Sequence, residues 1–215
     1  MDEAVSQPLP GASAGSVCAG RRIGAVVRFV LVAAIVLAVD LAVKDWAFHH
    51  VAGVPVQLDP SRPHQPPIPP HDPVVLVPGL LSLKLTTNAG AVFGLGQGGR
   101  WVFIAISVAA VFVVTRVFWR SPAGAWGLHA GLALILAGAL GNLYDRVRFS
   151  VVRDMLVLLP EVTLPWGWTW PGGANAIYPW IFNVADVALV VGVALVIGVT
   201  TLRELRAPGE PGGRR

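Results

Sequence analysis

Four stretches of this chain are long, apolar and nearly free of charge: residues 29–47, 101–119, 126–143 and 180–202. Each is close to the ~20 residues that a helix needs to cross a bilayer. Such segments leave little choice of fold, because a backbone in lipid must satisfy its own hydrogen bonds. The expectation is a membrane all-α protein, a four-transmembrane-helix bundle. Composition agrees: 54% of the 215 residues are hydrophobic, 13% are charged and the mean hydropathy is +0.66, whereas soluble domains carry about 25% charge. The first stretch follows Arg21, Arg22 and Arg28, so a signal peptide is its alternative reading, but no convincing small-residue cleavage site follows it. Trp46, Trp101, Trp119, Trp126 and Trp180 fall at or near the segment ends, where an amphipathic indole sits among headgroups. Gly127 and Gly131 form a G-x-x-x-G pair that Gly138 and Gly141 continue, which makes the third segment the expected centre of the bundle.

The net charge is +4, but the basic residues are scattered and form no dense face, so nucleic acid is excluded as a partner. The single cysteine, Cys18, excludes an internal disulfide framework and a multi-cysteine metal site, and reads as a free thiol. Residues 1–22 are expected to be a disordered cytoplasmic tail, 23–202 the membrane domain and 203–215 a second cytoplasmic tail. Four spans place both termini on one side. That side holds nine of the 16 basic residues (Arg21, Arg22, Arg28, Arg116, Arg120, Arg203, Arg206, Arg214 and Arg215), which makes it cytoplasmic under the positive-inside rule. The long loops 48–100 and 144–179 then lie outside. The Pro-rich run from Pro55 to Pro78 reads as an extended spacer. Beyond it, Leu81, Leu83 and Leu85 alternate with Ser82, Lys84 and Thr86, the period of a strand in a small extracytoplasmic sheet lying on the membrane. His49, His50, His64 and His71 lack compact ligand spacing and read as solvated loop residues, with no metal.

Charged and amide groups in lipid are costly, so each needs a reason. Asp40 and Lys44 share one face of the first segment at i,i+4, either as a structural ion pair or as a pair that tunes a site. Asn142, Asp145 and Arg146 close the third segment, and Asn183 and Asp186 open the fourth. All converge on the outer end. Counted from Trp180 and Ala47, Asp186 and Asp40 lie at similar depths of ~9 and ~10 Å. Arg148, Arg153 and Asp154 add charge there, and a loop beneath the bundle mouth would bring Asp154 against Asp186. Two carboxyls in a partly dry site cannot both ionise cheaply, so one keeps a proton near neutral pH. A protonated and an ionised carboxyl sharing a water are the working parts of an aspartic protease. A small proton-coupled transporter is a competing reading, but such sites lie near the midplane between repeats, and this sequence has no internal repeat.

Five ordered blocks carry a resemblance. D-L-A-V-K at Asp40–Lys44, T-N-A-G-A-V-F-G at Thr87–Gly94, A-L-G-N-L-Y-D-R at Ala139–Arg146, V-V-R-D at Val151–Asp154 and F-N-V-A-D at Phe182–Asp186 resemble, from about Val39 to Val191, the lipoprotein signal peptidase (signal peptidase II) family. The resemblance implies an aspartic endopeptidase of the bacterial cytoplasmic (inner) membrane that removes the signal peptide of diacylglyceryl-modified prolipoproteins. Cleavage would fall on the amino side of the lipidated cysteine, at the outer face, without cofactor, in a protein expected to be monomeric. It implies Asp154 and Asp186 as the catalytic pair. Asn88, Gly90, Asn142, Arg146 and Asn183 would bind substrate or orient the site, with Asp40, Lys44 and Asp145 in support. Met155, Ser150 and Leu41 stand where the family usually has an aromatic, a glycine and a glutamine. A long Trp-rich insertion, 161–177, reads as an arm lying on the membrane near the site. A noncatalytic lipoprotein-binding relative is the other reading, against which retention of both aspartates argues.

Overall fold

The computed structural model describes residues 18–61, 67–90 and 99–206. The tail 1–17, His64, the Ala91–Gly94 part of the second motif and the C-terminal residues 207–215, with Arg214 and Arg215, lie outside the described residues. Four helices, α1 (Ile23–His50), α2 (Arg100–Arg120), α3 (Trp126–Phe149) and α4 (Val184–Arg206), are each long and apolar enough to span a membrane. Four strands, β1 (Val74–Val77), β2 (Leu81–Asn88), β3 (Val152–Leu158) and β4 (Ile181–Phe182), form one antiparallel sheet in that order.

α3 is the centre. More than half of its apolar window is buried, while α1, α2 and α4 leave most of theirs exposed. Its glycines explain the close approach of α4: a Cβ at Gly131 would meet Val196 at 2.8 Å and the Gly192 carbonyl at 3.0 Å, and one at Gly138 would overlap Ala185 and Leu189. The outward faces of the helices are apolar, with Leu31, Ile35, Ile106, Phe112, Val190 and Ile197 all exposed. In water such a surface would be a large aggregating patch; in lipid it costs nothing.

Two clusters hold the ends. At one, Phe29 stacks on Phe118 (4.0 Å between centroids) among Val114, Leu128, Leu132 and Ala133. At the other, Ala47, Phe48 and Val51 of the end of α1 pack against Leu83, Leu85 and Met155. That second cluster joins bundle to sheet.

Several boundaries differ from the sequence reading, each for a visible reason. α1 begins at Ile23 rather than 29 and ends at His50 rather than 47. His49 and His50 turn back onto its last full turn, their Nδ1 atoms 2.7 Å from the carbonyls of Asp45 and Trp46, while the terminal carbonyls of Ala47 and Phe48 accept the amides of Val51 and Val56. Asp40 therefore sits ten residues from the helix end, about 15 Å at the helical rise, and the last turns of α1 stand beside the sheet. α3 continues past 143 to Phe149 and stops where Ser150 turns left-handed (φ 67°). α4 starts at Val184, because Trp180 precedes a strand and Asn183 caps the helix. Asp186 thus lies in the first turn rather than ~9 Å inside. The Pro-rich run contains β1, an exposed apolar strand between Pro73 and Pro78. His71 is half-buried and ordered: its Nδ1 meets the Pro69 carbonyl at 2.8 Å, and its Nε2 accepts the Leu85 amide at 3.0 Å. Arg153 and Asp154 lie on β3 and not in a loop. Within the expected disordered tail, the Ala19 amide donates to the Ser121 carbonyl at 2.7 Å, and Cys18, an exposed free thiol, bridges to Pro122.

Candidate active site

The end of the bundle at which α1 and α3 finish and α4 begins gathers almost every costly residue of the chain. Its foundation is a buried ion network. Lys44 is fully buried and lies 2.8 Å from Asp40 and 3.3 Å from Asp145. Asp145 also takes the Arg153 guanidinium at 2.9 and 3.1 Å and the Arg153 amide at 3.0 Å. Two carboxylates and two cations make a neutral set, the condition under which buried charge is tolerable. The left-handed turn at Ser150 makes it possible, since it folds β3 back alongside α3 and returns Arg153 to Asp145.

Lys44 also sets the direction of the amides above it. An ammonium can only donate, so Asn142 presents Oδ1 to Lys44 at 3.2 Å. Its Nδ2 is left to donate to Asp186 Oδ1 at 2.8 Å. Asn142 Oδ1 accepts a second bond from Asn183 Nδ2 at 3.1 Å, and the same Nδ2 donates to Asp154 Oδ1 at 2.6 Å. Asn183 Oδ1 is thereby free to accept the Asp186 amide at 3.0 Å, while the Asn183 amide donates to Asp186 Oδ2 at 3.1 Å. The last two bonds are a reciprocal capping box with Asp in the third helical position. The next orphan amide of α4, at Ala185, donates to Asp40 Oδ1 at 2.8 Å. The start of α4 is thus tied to α1, α3 and β3 at once.

Asp154 and Asp186 come from different elements, β3 and α4, and meet through Asn183. Asp154 is 2% exposed, opposite Thr86 of β2 in the sheet register. Burial, and next the charge of Asp186, push its carboxyl up to about 7, against the opposing pull of the Asn183 bond, Lys44 and Asn88. Asn88 closes β2 beside it and accepts the Gly90 amide at 2.9 Å. Arg146 is half-buried over the Phe103 ring (5.1 Å), and its one hydrogen bond among the described residues is a long 3.5 Å contact to the Asn142 carbonyl. Its guanidinium lies within the electrostatic reach of Asp186, Asp154 and Asp145 without an ion pair to any of them among the described residues. All ten candidate residues therefore lie at this end, with Asp145 committed to Lys44 and Arg153, and Gly90 buried beside Asn88.

Two residues receive no role from sequence, although Arg153 counts there as charge at this end. Arg153 is the counter-ion of Asp145, eight residues away across the break between α3 and β3, so that no single helical or strand period connects them. Tyr178 lies edge-on to Trp180 (5.2 Å) and Phe182 (5.7 Å), and burial with the charges of Asp186 and Asp154 raises its hydroxyl above the ordinary range. No sequence signal marked it. Just before it, the Trp-rich insertion is an ordered arm closed by backbone bonds from Leu164 to Asn175 (2.7 Å) and from Ile177 to Val162 (2.8 Å). Trp166 and Trp168 at its tip are 84% and 64% exposed.

The chain has recognisable relatives. The sequence profile of the signal peptidase (SPase) II family matches residues 32–202. A lipoprotein signal peptidase of Lactiplantibacillus plantarum is 37% identical over 122 residues, covering 57% of this chain and 70% of that protein. One of Rhodococcus jostii is 34% identical over 174 residues, covering 80% and 71%. Among solved structures, a bacterial membrane enzyme determined by the in meso method at 2.3 Å resolution superposes with a TM-score of 0.62 at 22% identity, covering 88% of this chain and 96% of that one. That likeness is one of fold. With the family profile spanning most of the chain, and relatives above 30% identity matched over more than two thirds of their own length, this protein belongs to the signal peptidase II family.

Proposed function

We propose that this chain is an aspartic endopeptidase of the bacterial inner membrane that removes the signal peptide from diacylglyceryl-modified prolipoproteins, with Asp154 and Asp186 as its catalytic pair. The observation that carries this reading is the joint hold of Asn183 on the two carboxyls, one of which keeps its proton up to about pH 7. Asp186, which accepts bonds from Asn142 and from the Asn183 amide, is the general base. It takes a proton from water as the oxygen attacks the scissile carbonyl carbon. Asp154 donates its proton toward the carbonyl oxygen, stabilising the charge that develops there. Collapse of the tetrahedral intermediate breaks the C–N bond, and the proton taken from water leaves on the amine. Water, two carboxyls and a peptide suffice for this chemistry.

The remaining assignments follow from chemistry and position. Arg146, with no ion pair among the described residues, and Asn88 with Gly90 hold the substrate backbone. Asn142 and Asn183 orient the pair, while Asp40, Lys44 and Asp145 fix the scaffold and set the amide directions. The sheet lies at the outer face and both termini lie in the cytoplasm. The distribution of arginines supports that orientation, and the wholly apolar, exposed β1 suits a membrane surface better than water. The arm 161–177 lies on that surface with Trp166 and Trp168 toward lipid.

The test is cleavage of a diacylglyceryl prolipoprotein by purified wild type, Asp154→Asn and Asp186→Asn, with thermal unfolding measured alongside. Cleavage by wild type, lost by at least ~10² in both folded variants, is the expected result. Cleavage by either folded variant at the wild-type rate overturns the pair. A folded wild type that binds but never cleaves lipidated substrates would make this a lipoprotein-binding relative.

A further inference from the structure

At the opposite end of the bundle from the carboxyl pair, a cavity of about 630 Å³ lies between the start of α1 and the α2–α3 turn at residues 122–124, lined by Arg22, Gly24 and Arg28. Three features fit it to an anion. The N-terminus of α1 has no side-chain cap and no acidic residue in its first turn, so its amides and dipole present positive charge there. Neither Arg22 nor Arg28 has a carboxylate within ion-pair distance among the described residues. The Arg28 guanidinium is held in place over the Trp126 ring, 4.2 Å from its centroid, and Trp126 is itself at a helix end where headgroups lie.

An independent observation comes from the adjoining cavity of about 130 Å³, which shares Arg28 and is lined by Phe29, Trp126 and His129. His129 is 4% exposed, its Nε2 lies 2.8 Å from Ser121 Oγ, and its Nδ1 is buried with no hydrogen-bond partner. Ser121 spends its hydroxyl proton on the Phe118 carbonyl at 2.7 Å, so His129 Nε2 is the donor of their bond and Nδ1 is left as a bare acceptor. A buried acceptor without a donor is costly. A group carrying an anion for the arginines and a hydroxyl for Nδ1 would satisfy both cavities.

We infer that this end of the bundle is a binding site for the headgroup of an anionic, hydroxyl-bearing phospholipid, with its phosphate on Arg22, Arg28 and the N-terminus of α1 and a headgroup hydroxyl toward His129. The four-span architecture puts the cavity at a membrane–water boundary, where basic pockets between helices collect such lipids. In the proposed orientation the lipid belongs to the cytoplasmic leaflet. The inference uses the membrane embedding but not the peptidase reading. Lipid binding is measured without substrate, and folded Asp154→Asn protein binds lipid as wild type does, so the two readings fail separately.

The test is native mass spectrometry of the full-length protein titrated with phosphatidylglycerol, or with phosphatidylcholine of the same chains, with and without millimolar inorganic phosphate. The expected result is one saturating phosphatidylglycerol adduct that inorganic phosphate does not displace. Affinity should fall at least ~10-fold in Arg22→Gln/Arg28→Gln, since charge-assisted bonds to phosphate are lost. Arg22 is exposed, so Arg22→Gln alone is the variant that stays folded if the pair does not, and it should weaken binding in the same direction. Equal binding of phosphatidylcholine, or unchanged affinity in both arginine variants, overturns the inference. Displacement by inorganic phosphate would make the site one for free phosphate. Adducts that form only after Asp2→Asn/Glu3→Gln would make the acidic start of the chain its occupant, and would equally overturn the lipid.

Discussion

Replacing Lys44 by methionine removes a fully buried cation whose partners are Asp40 at 2.8 Å, Asp145 at 3.3 Å and the Asn142 side-chain oxygen at 3.2 Å. The four-member network of Asp40, Asp145, Lys44 and Arg153 is neutral, and the substitution leaves it with one excess negative charge away from water. Breaking a buried pair from one side costs about 3–5 kcal/mol. At ~2–4 °C per kcal/mol for a chain of this size, thermal unfolding should fall by roughly 6–20 °C. The double variant Lys44→Met/Asp40→Asn restores neutrality, and an asparagine at 40 still offers an oxygen to the Ala185 amide, so most of the lost stability returns. Activity does not return. With no ammonium donating to its oxygen, Asn142 keeps only the Asn183 bond to hold the direction that aims its Nδ2 at Asp186, and misplacement of that amide costs ~10²-fold in rate. The assays are thermal unfolding in detergent and cleavage of a lipidated prolipoprotein. A single variant that unfolds within ~2 °C of wild type would refute the charge argument, and a double variant that cleaves at the wild-type rate would refute the orienting role.

The raised carboxyl of Asp154 gives pH a sign. Because the folded state holds this proton up to about pH 7 and the unfolded chain releases it near 3.8, its contribution to stability is fully present below 3.8 and is lost as pH rises through 7. In the proposed mechanism the kcat/KM profile should bend downward above about pH 7, and a rate that stays level to high pH in a folded enzyme contradicts the proton assignment. Ser150 holds φ 67°, a conformation that costs a side-chain-bearing residue ~1–2 kcal/mol. Ser150→Gly should therefore raise the unfolding temperature, and a lower one would show that the serine is held by more than the turn. Trp166→Ser/Trp168→Ser, at the exposed tip of the arm, should raise KM for substrate in lipid vesicles several-fold and leave kcat and unfolding temperature near wild type. An unchanged KM removes the arm from the membrane surface.

The four spans were legible because lipid imposes a length and a polarity that no other solvent demands, and the order of motifs located the polar end of the bundle. The glycines of α3 were equally readable, since close helix approach selects them locally. What hydropathy missed lay at the boundaries. Asn183 and Asp186 spell a capping signal three residues apart, yet apolar Trp180, Ile181 and Phe182 before it read as helix, whereas Ile181 and Phe182 pair with Val157 and Leu156 of β3. β1 was hidden by the prolines around it. The Arg153–Asp145 pair depends on a reversal at Ser150 that has no periodic signature, and a serine signals a left-handed turn less openly than a glycine would. His129 could have been noticed as a lone imidazole in an apolar segment, but only the geometry of Ser121 shows which nitrogen is idle.

The carboxyl pair is assembled from parts that answer to different surroundings, since Asp186 rides on a helix embedded in hydrocarbon and Asp154 on a sheet tied to the protruding end of α1. Hydrocarbon thickness therefore acts on Asp186 directly, and on Asp154 only through the Arg153–Asp145 pair that ties β3 to α3. When bilayer and helices are mismatched in length, α3 and α4 relieve it by tilting; in the proposed orientation the sheet at the boundary follows less, and Asn183 is the joint that must absorb the difference. If the pair acts as proposed, the acyl chain length of the host membrane becomes a control on its chemistry, exerted with no ligand and no change in sequence.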